Sequence, residues 1–461
     1  MQILNPNSVD EMHLSSLLAE FSLNTKTKDI PNVVIENVKR GIIDSIACMI
    51  AGSKSDLTNI LKKQLIGNTK LKTASIFGSK IKISSGDAAC INGCSGHVLD
   101  FDDINWDISG HPTISVLPAA LAIAQKNENT GAELIEAVCI GIEVSSKIGR
   151  LANPTHYKTG WHATSCIGIF AAVCAIARLY KASLNQTINA LGIAASLSSG
   201  MQKNFGSMTK PFHVGNSNQN AILAIELAMQ GMSANEDIFS GDLGWLNLYA
   251  KNTEINDSEK IEHLFKNWRL VKSGIVIKQY PSCGATHCAL DALSILMNEN
   301  KISSREIKKI MCYAHPIALQ VLKHSEPKSA LEGKFSMQFC LAIMAIYNKV
   351  NLSHFEEEFI SNLNVINFMK KIELVESRDT FALNTPDAVP ATIVISTLDS
   401  KEFKCHVSKP FGDPEKPFTN EQLKNKFFEC STMAYSRGKA TKIWNTVLEL
   451  ENITNLNTIF Q

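Results

Sequence analysis

The sequence predicts a mainly α-helical protein with a second, smaller α+β domain. Three observations carry that prediction. Apolar residues recur at helical spacing to about residue 265, β-branched alternation takes over from about Lys272, and a breaker cluster, GDPEKPFT, precedes a return to helical patterning. The boundaries are drawn at 1–268 with 410–461 for the helical domain, and at 269–409 for the α+β domain.

In the first segment, Val34, Val38 and Ile42 share one face of a helix that runs through GIIDSIACMIAG and stops at Gly52. Leu134, Val138 and Ile142 mark another, with Glu143 beside the stripe. ATSCIGIFAAVCAIARLY and NQNAILAIELAMQGM are small-residue-rich and almost wholly apolar, as helices buried on most sides are. The polar, glycine-rich run GMQKNFGSMTKPFHVGNSNQN between them reads as a long functional loop. Beyond Lys272, GIVIKQYP reads as a short strand and ATHCALDALSILMN as a helix. IKKIMCYA and KIELVESR read as further strands, and ATIVISTLDSKEFKCHVSKP as a hairpin turning at Asp399–Ser400. NEQLKNKFFECSTMA and WNTVLELEN are helical and are expected to rejoin the first domain.

Composition narrows the function. With 45 Lys and Arg against 44 Asp and Glu, no basic face for nucleic acid is expected. No uninterrupted apolar stretch of bilayer-spanning length is apparent, and the first residues show no leader pattern, so no membrane partner is expected. Most of the twelve cysteines lie within apolar helical patterns, where a reduced thiol acts as a small hydrophobe; a reducing, cytoplasmic setting is expected.

The segment from His97 to Pro118, HVLDFDDINWDISGHPTISVLP, concentrates Asp100, Asp102, Asp103, Asp107 and two histidines between two apolar helical runs. Charge there has a desolvation cost that a mere connector would avoid, so the loop reads as the floor of a pocket. Four further places hold titratable groups at element boundaries: His162, Lys210 to His213, Lys278 to His287, and Arg378. Histidine can both take and give protons near neutrality, and a lysine beside Met208 and Phe212 can hold a carboxylate. Plainer readings stand beside these. His111 and His162 can be helix caps, Asp102 and Asp103 a capping or solvated pair, Lys210 a surface lysine. His287 can be a structural hydrogen-bonding residue near Asp291, and His97 a satisfied core histidine. Asp102, Asp103 and Asp107 are spaced one residue too widely for a DDxxD magnesium site, and phosphate-loop and dinucleotide fingerprints are absent.

HVLDFDD followed by GHPTISVLPAALA, then TKPFHVGN, YPSCGATH, GKFSMQF and FGDPEKPFT, in that order, resemble the MmgE/PrpD family over nearly the whole chain. The resemblance implies a helical domain built from both chain ends, an α+β lid domain, a homodimer, and chemistry on small polycarboxylates without metal, nucleotide or flavin. Known family activities are 2-methylcitrate dehydration, cis-aconitate decarboxylation and iminodisuccinate epimerisation. Matched to the family pattern, Asp100, His111, His162, Lys210 and Lys278 fall on active-site positions. His111 and Lys210 are assigned as proton carriers, His162 as a second acid/base or donor, and Asp100 as the group orienting a histidine. Lys278 is assigned to a substrate carboxylate, with Asp103, His213, Cys283 and His287 as further substrate-binding candidates. The family often has threonine where this chain has Ile104, the decarboxylases carry histidine where it has Cys283, and no tyrosine matching theirs stands near Val321; together these departures argue against cis-aconitate decarboxylase. The expected function is therefore a hydro-lyase, with epimerase, decarboxylase and a catalytically silent helical scaffold as alternatives. A silent scaffold would be expected to shed its buried charges, because they destabilise a core that no longer uses them.

Overall fold

A computed structural model describes residues 13–68, 71–251, 261, 264–377 and 388–460. Arg378, singled out above, lies outside the described residues.

The apolar stripes become a bundle of helices packed on one another. Gly168–Tyr180 lies at its centre, packed on Pro112–Lys126, Gly131–Ala152 and Thr209–Met229. Asn32–Gly52 packs on Ser85–His97, and its Val34, Val38 and Ile42 are fully buried. A two-stranded antiparallel ribbon, β1 (Ala74–Ser75) with β2 (Lys82–Ile83), precedes Ser85–His97. Near the chain end, Asn420–Ser431 and Arg437–Leu448 both pack on Asn32–Gly52.

The α+β unit holds one mixed sheet. Its strands are β3 (Ile307–Ala314), β4 (Ile372–Glu376), β5 (Ala391–Thr397) and β6 (Glu402–Val407), in the order β4-β3-β5-β6. β3 runs parallel to β4 and antiparallel to β5, and β5 turns through Ser400 (φ 65°) into antiparallel β6. Along β5 buried and half-buried residues alternate, as a sheet with one covered face requires. His287–Asn300 and Met337–Tyr347 pack against that sheet.

Three expectations change. GIVIKQYP is no sheet strand: Val276 makes an isolated bridge to Ile104, and Ile277 N–H donates to Gly412 O. Its β-branched residues satisfy their backbone across the boundary between the two units. The expected loop 200–220 is helix from Thr209 onward. Its composition hid that helix because a close helix crossing replaced an apolar stripe: a Cβ on Gly93 would lie 3.0 Å from Gly215 Cα. Asn218, buried there, accepts from Ala119 N–H and donates to Ile114 O. Finally, Ala163–Tyr180 is long and apolar enough to cross a membrane, contrary to expectation, but 89% of it is buried inside the fold.

Candidate active site

The acidic loop is shaped by its own backbone. Ser85–His97 ends, Asp100 turns in the left-handed region (φ 50°), and an Asn105–Gly110 bridge closes the hairpin before Pro112–Lys126 begins. Aspartate tolerates that conformation better than most residues do. Asp103 caps the next helix, accepting from Thr113 N–H at 3.2 Å and from the Thr113 hydroxyl. Burial and nearby Asp44 push its carboxyl well above the usual carboxylate range. Asp103 therefore caps a helix and does not line the cavity.

Asp102 is completely buried and faces two imidazoles. Nδ1 of His97 lies 2.8 Å and Nδ1 of His111 3.0 Å from its Oδ2. Burial opposes the Asp102 carboxylate, but the facing His111 and His97 outweigh it and hold its pKa low. His97 Nε2 lies 2.7 Å from Lys210 Nζ. An ammonium only donates, so His97 accepts at Nε2 and carries its proton at Nδ1. Burial pushes His97 down to about 3, consistent with that neutral form. The trio His97, Asp102 and His111 has the spacing of a metal site, yet this tautomer leaves His97 no free lone pair for an ion.

Lys210 also donates to Asp100 Oδ1 at 2.5 Å, while Lys278 Nζ reaches Asp100 Oδ2 at 3.1 Å and Asp100 O at 2.5 Å. Burial alone would raise the Asp100 carboxyl; Lys210 and Lys278 overcome it and hold the group well below its ordinary value. His162 Nδ1 lies 3.1 Å from His213 Nδ1, and its Nε2 is buried with no hydrogen-bond partner among the described residues. Burial and Lys210 depress both histidines, His213 to about 4, so a neutral pair shares one proton between the two Nδ1 atoms. Depending on which Nδ1 donates, His162 Nε2 is either a lone-pair base or an N–H acid.

Asp100, His111, His162, Lys210 and Cys283 line one narrow cavity of about 80 Å³. Lys278, His213 and His287 do not line it. Lys278 is fully buried behind Asp100, so its ammonium braces a carboxylate of the protein rather than one in the cavity. His213 backs His162, and His287 donates from Nε2 to Ser282 O at 3.3 Å, against the Tyr280 ring. Asp291, one turn on, takes the Tyr280 hydroxyl instead.

Sequence reasoning missed several members. His97 is indeed a satisfied core histidine, but both of its partners belong to the cluster. Three consecutive carbonyls are each held by a different buried lysine: Leu99 O by Lys334 at 2.8 Å, Asp100 O by Lys278, and Phe101 O by Lys426 at 2.7 Å. Lys334 also donates to Pro281 O and Lys426 to Lys278 O, so the clamp ties the acidic loop to the segment after residue 269. A signal existed: Lys426 shares a helical stripe with Leu423, Phe427 and Cys430, where a lysine has no apolar reason to be.

The MmgE/PrpD N-terminal domain model matches residues 16–258 and the MmgE/PrpD C-terminal domain model residues 280–452. The chain belongs to the MmgE/PrpD family. Relatives of this MmgE/PrpD protein include the cis-aconitate decarboxylase of Homo sapiens, 25% identical across 96% of this chain and 92% of that one. That of Mus musculus is 23% identical across 94% and 90%, and that of Aspergillus terreus 24% across 97% and 95%.

Proposed function

We propose that this MmgE/PrpD protein is a lyase that moves a proton at carbon beside a carboxylate, acting as a hydro-lyase on a small di- or tricarboxylate. The observation that carries the reading is the buried Nε2 of His162, unpartnered among the described residues, beside His111 and the Lys210 ammonium in one cavity. In the elimination, one imidazole takes the proton from carbon and the C–H pair becomes the new double bond. The C–O bond breaks, and a second donor protonates the departing hydroxyl to water. Lys210, oriented by Asp100 and His97, stabilises the negative charge that gathers on the adjacent carboxylate.

Decarboxylation is the second reading, supported by the names of the relatives. There the bond to carbon dioxide breaks and the same groups return a proton to carbon. Ile104, Cys283 and Val321, which depart from the decarboxylase pattern, all line the cavity, which favours elimination.

The test is incubation with 2-methylcitrate, citrate, cis-aconitate and iminodisuccinate. Absorbance of a new conjugated double bond marks elimination, carbon dioxide release marks decarboxylation, and solvent deuterium at carbon marks proton transfer alone. Inertness toward all four, with no exchange, would sink the lyase reading.

A further inference from the structure

His162 and His213 arrive from different elements. His162 stands at the start of Ala163–Cys166, and His213 lies in the first turns of Thr209–Met229, which also carries Lys210. Their Nδ1 atoms are 3.1 Å apart, close enough for one ring to donate to the other. A glycine permits the approach. Gly200 has φ 135°, its carbonyl accepts from His162 N–H, and a Cβ there would lie 3.3 Å from both His162 Cβ and His213 Cγ. The two rings have different surroundings. His162 is buried and lines the cavity. His213 is half-buried and does not line it, and Met208, Thr209 and Phe212 beside it are exposed. With the Nδ1 atoms facing each other, Nε2 of His162 is left to the cavity and Nε2 of His213 to the solvent side.

Resting on the lyase reading above, we propose that His213 is the outer half of a two-imidazole relay, passing protons between solvent and the cavity nitrogen of His162. In the base step, Nε2 of His162 takes the proton from carbon and its Nδ1 proton crosses to Nδ1 of His213. His213 then releases its own Nε2 proton to water. In the acid step water returns a proton to Nε2 of His213 and each transfer runs backward, so His162 gives its Nε2 proton to the departing hydroxyl. Neither ring is charged at either resting point. That suits rings whose protonated forms are opposed by burial and by Lys210, which together hold His213 down to about 4. A lone His162 would have to become an imidazolium in the same surroundings. His213 touches no substrate and acts through His162.

Two substitutions separate a relay from mere support. His213→Ala leaves a hole that a small base can enter, and His213→Phe fills it. On an acid that the protein turns over, both should lose roughly 10²-fold in kcat with KM little changed. Added imidazole should recover roughly tenfold of that loss, saturably, in His213→Ala and none in His213→Phe. Full kcat in His213→Ala, or a loss that imidazole leaves untouched, overturns the relay. Nitrogen NMR of histidine-labelled protein needs no substrate. It should show coupling between the two Nδ1 atoms across the shared proton, lost in His213→Ala, and its absence from the unsubstituted protein also overturns the relay. That coupling in a protein inert toward every acid would remove only the lyase reading.

Discussion

Nζ of Lys210 lies 2.7 Å from Nε2 of His97. That contact fixes more than one residue. It sets the His97 tautomer, which directs an N–H at Asp102, and Asp102 in turn receives Nδ1 of His111. Lys210 and His111, assigned from the resemblance as separate proton carriers, are joined through a buried histidine and a buried carboxylate. Asp102→Asn puts an amide that can donate where both imidazoles now donate. Turnover should fall on the order of 10⁴-fold with circular dichroism unchanged, as when the buried aspartate of a serine protease triad is made asparagine. Unchanged turnover would show that the tautomer does not matter.

His111→Asn and Lys210→Met each remove a group that faces the cavity. Loss of a positioned acid or base costs roughly 10²–10⁴-fold in rate. Each variant should show that loss in kcat while retaining its far-ultraviolet spectrum. A variant that keeps full kcat excludes its residue from proton transfer.

Lys426 pairs with Asp44 at 2.7 Å, with both side chains buried. Lys426→Met strands that carboxylate and frees the carbonyls of Phe101 and Lys278, so urea unfolding should show about 3–5 kcal/mol of lost stability. Adding Asp44→Asn should recover a large part of it. If the double variant is no better than the single, the stranded charge is not the cause.

Buried histidines make the fold acid-sensitive. Burial pushes His97 down to about 3 and His156 and His213 to about 4, all below the ordinary value of 6.5. Between those values the unfolded chain binds protons that the native state refuses, so stability is full above pH 6.5 and declines as pH falls. Each such group contributes a slope of about 1.4 kcal/mol per pH unit within that window. His156 packs against Trp245 and does not line the cavity, so His156→Phe should flatten the acid limb of a thermal-melt series. An unaltered limb would assign the sensitivity elsewhere.

Much of the architecture was legible because burial patterns are local. The stripe of Val34, Val38 and Ile42, the alternation in β5 and the turn at Ser400 each show within a few residues. The helix beginning at Thr209 was not, because glycine and asparagine there serve a neighbouring helix that periodicity cannot see. The site divides likewise. His111, His162 and Lys210 stood out as titratable groups in apolar company. The role of Lys278 did not, since facing Asp100 rather than the cavity depends on the turn at residue 100.

From residue order alone came the helical and α+β units and the chemical types available to a site, because spacing and composition encode burial directly. Folding in three dimensions decided which of those groups share a wall, which tautomer His97 holds, and that three lysines grip successive carbonyls. Those facts are distances between parts of the chain up to 325 positions apart, and a hydrogen bond acts only across about 3 Å, whatever the separation in sequence.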